Sequence, residues 1–228
     1  MEYPPSEVLM KQALGIEPSD MLFSHACVYD PFTCGWIDTD IAVASGSVVG
    51  LGGHYRARET VDLKGRRVVP GLIDAHVHIE SSLLVPSEYA RVVAMHGTTT
   101  VVADPHEIAN VCGKAGIEYM LRERQGLPVD IFVMLPSCVP ATPLDVGGAE
   151  LTASDLAEFI GRDGVLGLGE VMNVPGVLDR DPGVFEKLAL FSLRDGHAPL
   201  LSGESLNAYI LAGLQSDHEC TGKEEAAE

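Results

Sequence analysis

The stretch GLIDAHVHIESS, residues 71–82, decides how the rest of this chain is interpreted. Because side chains alternate between the two faces of a β-strand, His76 and His78 project from the same face. Asp74 and Glu80 share that face by the same alternation. Four polar or ionisable groups in line make a poor hydrophobic core, but they suit the floor of a metal site. A solvent-facing edge strand would show the same pattern, and a His-x-His pair alone does not separate the two interpretations.

The amino-acid composition and net charge limit the kinds of molecule that the chain can bind. The chain has 228 residues, of which 46% are hydrophobic and 21% charged, as in an ordinary globular protein. Its 33 acidic and 15 basic residues give a formal net charge of −18. A polymeric nucleic acid needs clustered Lys and Arg to neutralise its phosphates, so we expect no DNA or RNA partner. A single nucleobase carries no phosphate and is not excluded by this argument.

The cysteines and the apolar runs indicate in which cellular compartment the protein is expected. Five cysteines include no Cys-x-x-Cys pair, which argues against a disulfide framework and against a cysteine zinc site. The first residues lack the apolar segment of a signal peptide, and no apolar run approaches the roughly 18 residues that span a bilayer. We therefore expect a cytoplasmic protein without a membrane partner.

The pattern of elements changes twice along the chain. Residues 1–20 predict a leading helical segment, and residues 21–69 contain short alternating runs typical of a small antiparallel, β-sandwich-like domain. After Pro70, strand-like and helix-like segments alternate through residues 70–228, which is the pattern of parallel β/α units. The predicted strands cover 72–79, 98–103, 129–135 and 165–171, and the predicted helices cover 87–96, 108–125, 152–160 and 184–190.

Residues with chemical potential recur where the predicted strands end. They are His76, His78, the run Asp104-Pro105-His106-Glu107, Ser137, Cys138, Glu170, Asp195 and His197. In a (β/α)8 barrel the strand ends meet at one face, which carries the active site. An open doubly wound sheet also binds ligands there, but the glycine-rich phosphate loop expected of it is missing. The sequence therefore predicts an α/β fold, a (β/α)8 TIM-type barrel that is incomplete here, with about five to six β/α units of the eight.

Five residues together suggest a metal site. Glu170 ends an apolar strand, and His197 and His218 follow it; each of these alone is more often solvated than functional. With His76 and His78 they would come from strands 1, 4, 5 and 6 and form a nitrogen and oxygen ligand set without thiolates. Such ligands suit Zn²⁺, Mn²⁺ or Fe²⁺, and a bridging carboxylate holds two ions. Water in such a site is activated for attack on an electrophilic carbon, with a carboxylate or histidine passing its proton onward.

At these residues the chain resembles the amidohydrolase superfamily and, within it, the adenine deaminase family. The resemblance rests on residues 70–82, the run HGTTTVVADPHEIAN at 96–110, GEVM at 169–172, and residues 195–202 and 216–220. It covers nearly all of the chain. It implies hydrolysis of adenine to hypoxanthine and ammonia by metal-activated water.

The resemblance also implies a binuclear centre, with Mn²⁺ or Fe²⁺ as the expected ions and Zn²⁺ as a further option. His76 and His78 would hold one ion, and Glu170 would bridge to a second ion held by His197 and His218. Glu170, His197 and His218 would then be catalytic as well. Many superfamily members place a carboxylated lysine at the bridging position, but the strand around Glu170 contains no lysine.

Three further residues are expected near the site. Glu80, Asp104 and His106 would line the pocket or bind an additional ion, or else brace the ligands. The resemblance also implies a homodimer for the full-length protein.

The chain departs from the family pattern in two respects. The family continues beyond the Ser-Asp-His-Glu motif to an aspartate at the eighth strand, a metal ligand and proton carrier, whereas this chain ends at Glu228. The stretch between Glu170 and Asp195 is also short, so either residues 190–194 form the strand after a curtailed helix or a piece is missing. We therefore expect an N-terminal fragment of such an enzyme, with little activity alone.

Other interpretations remain open at this stage. An amidohydrolase acting on cyclic amides, such as a dihydroorotase-like or imidazolonepropionase-like enzyme, would use the same ligands, and the fold does not choose between substrates. The chain could also be a non-catalytic metal-binding remnant, or a piece that does not fold alone. The run at residues 104–107 favours adenine.

Overall fold

The computed structural model describes residues 5–142 and 144–228. The chain divides into two compact units, Met1–Pro70 in its described part and Gly71–Glu228. The division lies at Pro70, where the sequence pattern changes from short alternating runs to β/α units.

In its described residues, from 5 to 70, the first unit contains one helix and one five-stranded sheet. The helix α1 (Glu7–Ala13) begins at Ser6, whose hydroxyl accepts a hydrogen bond from the Leu9 amide. The strands are β1 (Ser19–Asp30), β2 (Gly35–Ala44), β3 (Ser47–Leu51), β4 (Ala57–Asp62) and β5 (Arg67–Val68). The antiparallel prediction holds for β1–β2 and β2–β3, but β1 pairs in parallel with β4 and β5. The sheet is therefore mixed. The sequence did not predict this, because turn residues mark where strands end and not which strands pair.

The second unit alternates strands and helices. In chain order its elements are β6 (Leu72–Val77), a 3-10 helix (Ile79–Ser82), α2 (Pro86–Ala94), β7 (Thr98–Ala103), α3 (His106–Cys112), α4 (Lys114–Glu123), β8 (Asp130–Leu135), α5 (Ala153–Ala157), β9 (Val165–Val171), α6 (Val174–Leu178), α7 (Pro182–Leu190), β10 (Arg194–Gly196), α8 (Gly203–Leu211) and α9 (Lys223–Ala227). All neighbouring strands pair in parallel, and their order in the sheet, β10-β9-β8-β7-β6, follows the chain. This arrangement confirms the predicted α/β class of parallel β/α units.

Several segments of the second unit differ from the sequence prediction. The strand predicted over 72–79 ends at Val77, and the helix predicted over 152–160 ends at Ala157. The helix predicted over 108–125 is divided at Gly113, which has φ 58° and separates α3 from α4. A Cβ on Gly116 would lie 2.9 Å from the Ile108 carbonyl oxygen, so this glycine lets the two helices pack closely. Between Glu170 and Asp195 lie α6 and α7, and the three-residue strand β10 begins only at Arg194. The predicted strand over residues 190–194 is therefore wrong in its bounds, and the short β10 accommodates the short spacing.

The core of the second unit lies between the sheet and its helices. Its largest fully buried side chains include Ile131 and Leu135 of β8, Leu168 of β9, and Leu156 and Phe159 at α5. Val133 between them is also fully buried, so β8 and β9 form the centre of the sheet and fix the site at their carboxyl ends. Within the described residues no helix combines the length and apolarity that a membrane crossing requires.

Candidate metal centre

Five histidine rings surround the carboxylate of Glu170, which lies in β9 and is 2% exposed. Its Oε1 lies 3.0 Å from His106 Nε2 and 3.4 Å from His78 Nε2. Its Oε2 lies 2.8 Å from His197 Nδ1, 3.0 Å from His218 Nε2 and 3.8 Å from His76 Nε2. The structure thus brings together all five residues proposed as ligands from the sequence, and it adds His106 to them.

Parallel strands account for most of this convergence. His76 lies in β6 and His78 directly after it, while His197 follows β10 by one residue. His106 is the first residue of α3, the helix that follows β7. The prediction of a strand leading to His218 is wrong, because residues 212–222 contain none. A loop carries His218 instead, alongside β10, where the Gln215 amide donates to the Arg194 carbonyl.

The hydrogen bonds of His76 and His78 assign their ring protons. His76 Nδ1 lies 2.6 Å from Asp195 Oδ2, and His78 Nδ1 lies 2.9 Å from the Asp104 carbonyl oxygen. An ionised carboxylate and a carbonyl oxygen only accept hydrogen bonds, so each Nδ1 carries a proton, and each Nε2 has a lone pair for a metal ion when its ring is neutral. These two Nε2 atoms face each other at 3.1 Å. When both rings are neutral the two lone pairs repel at this distance, so the pair fits either one shared proton or a bound cation.

The other atoms of the cluster fit a divalent ion as well. His197 Nδ1 is buried and has no aligned hydrogen-bond partner among the described residues, although it lies 2.8 Å from Glu170 Oε2. Ligand atoms within 4.8 Å of one another define three triads, one of which is His76, Asp195 and His218. The other two are His76, His78 and Glu170, and Glu170, His197 and His218. These last two triads share Glu170, which is the arrangement needed for a carboxylate between two ions. Nitrogen and oxygen donors without thiolates suit Mn²⁺, Fe²⁺ or Zn²⁺.

Asp104 supports the backbone of Glu170. It is fully buried, and its Oδ2 accepts a hydrogen bond of 2.8 Å from the Glu170 amide. A Cβ on Gly169 would lie 2.2 Å from the same oxygen, so only glycine leaves room for this carboxylate. The other oxygen of Asp104 is buried without a partner among the described residues. Asp104 is in neither of the two triads that share Glu170, and its geometry matches the bracing alternative.

Glu80 holds a backbone group and does not contact the Glu170 carboxylate. Its Oε1 accepts a hydrogen bond of 3.2 Å from the Ile108 amide in α3, two residues after His106. Its Oε2 is buried and lacks a partner in the described part of the chain. Of the three residues expected near the site, His106 therefore contacts Glu170 through its side chain, and Asp104 and Glu80 hold backbone groups.

The family follows from a comparison with known proteins. The family model described as "Amidohydrolase family" matches residues 67–228, the whole of the second unit. The chain belongs to the amidohydrolase family. This confirms the resemblance seen in the sequence.

Relatives of high identity carry one name. The adenine deaminase of Methanoregula boonei is 64% identical over 229 residues, covering 100% of this chain and 41% of the relative. The adenine deaminase of Methanoculleus marisnigri is 66% identical over 189 residues, covering 83% and 36%. Adenine deaminase 2 of Carboxydothermus hydrogenoformans is 51% identical over 226 residues, covering 98% and 40%. The chain thus spans about two fifths of the length of the curated relatives it matches.

Solved amidohydrolase-type structures share the fold. The N-acyl-D-glutamate deacylase of Bordetella bronchiseptica, complexed with zinc and a phosphonate inhibitor, superposes with a TM-score of 0.60 at 15% identity. A D-aminoacylase studied for its binuclear metal centre gives the same TM-score and identity. Each match covers 91% of this chain and 53% of the other. At such low identity the likeness establishes the fold alone.

The electrostatics of this amidohydrolase site centre on Glu170. Burial acts to raise its pKa, but the hydrogen bond from His106 and the charges of His197 and His78 outweigh it and lower the pKa to about 2. Glu170 is therefore a carboxylate at neutral pH. Burial raises the pKa of Asp104 to about 7, with the positive charge of His106 acting against it.

The sequence analysis places Asp195 at the end of a strand but gives it no role in the metal site. Its Oδ2 holds Nδ1 of His76, and its Oδ1 accepts a hydrogen bond from Ser216. Burial acts to raise the pKa of Asp195, but the hydrogen bonds from His76 and Ser216 outweigh it and lower the pKa. A carboxylate behind a ligating histidine fixes the ring and raises its basicity. The signal was present, because Asp195 precedes His197 by two residues, the same spacing as in His76 and His78.

Proposed function

We propose that this chain supplies the metal-binding part of an adenine deaminase, which hydrolyses adenine to hypoxanthine and ammonia. The observation that carries the proposal is the cluster of histidines around Glu170, in a chain 64% identical to a relative named adenine deaminase. The geometry supports a binuclear hydrolase site, and the relatives support the substrate.

The two triads that share Glu170 give each residue a role. His76 and His78 would hold one ion with Glu170, and His197 and His218 would hold a second ion with the same carboxylate. When bound, the ions would supply an activated water molecule for attack at the ring carbon that carries the amino group. We propose Glu170, His197 and His218 as catalytic residues for this reason.

The support residues keep these ligands in place. Asp195 orients the His76 ring, and the Asp104 carbonyl orients the His78 ring, so that both Nε2 atoms face inward. His106 holds Oε1 of Glu170 and adds a further nitrogen at the site.

The identity of the ions and the assembly state complete the proposal. We propose Mn²⁺ or Fe²⁺, with Zn²⁺ as the alternative, because the donors are imidazole and carboxylate. All five cysteines are free, which supports a reducing, cytoplasmic location. The full-length protein is proposed to be a homodimer. Elemental analysis of the purified protein and light scattering of the full-length protein would test the metal and the assembly.

The decisive experiment compares substrates on a completed protein. The 228-residue chain would be joined to the part of the Methanoregula boonei relative that lies outside the match, loaded with Mn²⁺, and given adenine, adenosine or a cyclic amide. We expect hypoxanthine and ammonia from adenine, and no turnover from the His78→Asn variant. His96→Asn is the matched control, since His96 is an exposed histidine of the same unit.

Two outcomes would contradict the proposal. Hydrolysis of the cyclic amide without turnover of adenine would assign a different amidohydrolase activity. Firm metal binding with no turnover of any substrate would identify a non-catalytic metal-binding protein.

A further inference from the structure

A buried hydroxyl joins the ends of β9 and β10, where Glu170 and His197 lie. Tyr209 lies in α8 and is 2% exposed. Its hydroxyl donates a hydrogen bond of 2.7 Å to the Val171 carbonyl and accepts one of 3.0 Å from the His197 amide. Val171 follows Glu170 in the chain. One side-chain oxygen is therefore bonded to the backbone of His197 and to the residue next to Glu170.

The position of this hydroxyl follows from the end of the sheet. The strands β9 and β10 pair at Arg194 with Leu168 and at Gly196 with Val171, with an irregular register between the two pairs. His197 lies beyond the last pair, where its amide and the Val171 carbonyl both bond the Tyr209 hydroxyl and not each other. The spacing of the two strands at the ligands is therefore set by a side chain of α8.

The space for the ring depends on a glycine. A Cβ on Gly196 would lie 3.2 Å from Cε1 of Tyr209 and 2.1 Å from the carbonyl oxygen of Ser216. The glycine therefore lets the tyrosine ring and the loop before His218 approach β10 together. The same loop is fastened by Asp217, whose Oδ1 accepts a hydrogen bond of 3.3 Å from the Ala198 amide.

We propose that Tyr209 is a positioning residue of the metal centre, whose hydroxyl sets the distance between the Glu170 carboxylate and the His197 ring. That distance is 2.8 Å from His197 Nδ1 to Glu170 Oε2. The inference rests on the proposed metal-binding function. The Tyr209 hydroxyl contacts no ligand side chain. Even so, we infer that it controls the affinity for an ion held by Glu170, His197 and His218.

The test removes the hydroxyl and keeps the ring. In the 228-residue chain, Mn²⁺ would be titrated into the wild type and into Tyr209→Phe by calorimetry, with paramagnetic resonance used to distinguish paired from single ions. We expect the variant to bind one ion as the wild type does and the second ion about 10- to 100-fold more weakly, as found when a supporting partner of a ligand is lost. The paired-ion signal should then appear only at higher Mn²⁺ concentrations.

Two further proteins make the result specific. Tyr89→Phe is the matched control, because Tyr89 is a buried tyrosine of the same unit whose hydroxyl makes no hydrogen bond among the described residues. It should bind both ions like the wild type. Incorporation of 3-fluorotyrosine at position 209 keeps the hydroxyl and should also preserve the second ion.

Each alternative result decides the matter. A lower unfolding temperature of Tyr209→Phe with unchanged affinity for both ions would make the hydroxyl purely structural and overturn the proposal. Failure of this variant to fold, while the 3-fluorotyrosine protein folds and binds both ions, would do the same. Absence of Mn²⁺ binding by the wild type would overturn the metal site itself and, with it, this role of Tyr209.

Discussion

Both units of the molecule place a histidine beside carboxylates, with different results. In the first unit, His25 Nδ1 lies 2.9 Å from Asp62 Oδ1, and the side chains are 74% and 50% exposed. In the second unit, His76 Nδ1 lies 2.6 Å from Asp195 Oδ2, and the side chains are 13% and 12% exposed. The pairs are chemically alike, but only the second lies in a cluster of buried ligands.

The difference shows what turns an ion pair into a metal ligand. The carboxylate of Asp195 fixes the His76 ring so that its second nitrogen faces His78 at 3.1 Å. The His25 pair is exposed to solvent, where water screens the charges and an ion pair contributes little. Burial and convergence, and not residue type, therefore separate the two regions, and each of the following changes tests this separation.

The largest effect is expected from Glu170→Gln. The amide keeps the shape of the side chain but removes the charge that the two triads containing Glu170 share, so Mn²⁺ affinity should fall by more than about 100-fold at both sites, beyond the cost of losing a supporting residue. Calorimetric titration of Mn²⁺ measures this. Glu118→Gln is the control, since Glu118 is a half-exposed residue that pairs with Arg162 on the surface. Wild-type binding by Glu170→Gln would show that the cluster is not the metal site.

A smaller effect is expected from Asp195→Asn. Asparagine still accepts a hydrogen bond from His76 but no longer supplies a negative charge behind the ring, so the ligand becomes less basic. Mn²⁺ affinity of the His76 and His78 site should fall by about 10-fold, within the range known for such partners. The same titration of Asp179→Asn, an exposed aspartate of this unit, should show no change. If the Mn²⁺ affinity of Asp195→Asn changed by less than about twofold, the carboxylate beside His76 would matter as little for metal binding as the one beside His25.

The smallest effect is expected from His25→Asn. Asparagine tolerates the left-handed backbone of this residue, which has φ 53°. Mn²⁺ affinity should not change, because His25 lies in the first unit and in none of the ligand triads. Loss of Mn²⁺ affinity in this variant would contradict the separation of the two regions.

The contribution of the His25 and Asp62 pair to stability depends on pH. The hydrogen bond and charge of Asp62 raise the pKa of His25 above its ordinary value of 6.5, so proton NMR should show its ring titrating above that pH. A raised histidine pKa stabilises the fold below the ordinary value, and this contribution is lost as the pH rises through the raised pKa. The wild type and His25→Asn should therefore differ in stability in weak acid and converge at alkaline pH.

Much of the second unit could be predicted because its signals are local. The strands at 98–103 and 165–171 have the predicted bounds, since each is an unbroken apolar or β-branched run. The convergence of His76, His78 and Glu170 follows from alternation in a strand and from the parallel arrangement. The break at Gly113 was not predictable from helical periodicity, because a glycine is tolerated within such a pattern.

The parts that escaped prediction depend on distant contacts. The loop carrying His218 is placed by bonds to β10, and no strand pattern marks it. Tyr209 reads as a core residue of an apolar helix, and its role depends on backbone groups 38 and 12 residues away. Which strands pair with β1 in the first unit likewise depends on long-range contacts.

The order of strands in the second unit has a consequence for how the protein is made. From β6 to β10 each strand pairs with the one before it in the chain, so no later strand must insert between earlier ones. Chains are synthesised from the N-terminus at about 5–20 residues per second. The sheet is thus able to grow at one edge during synthesis, and the strand bearing His76 is available for pairing before β9 brings Glu170. Until then His76 and His78 lack the carboxylate that lies within 3.8 Å of both rings in the complete sheet.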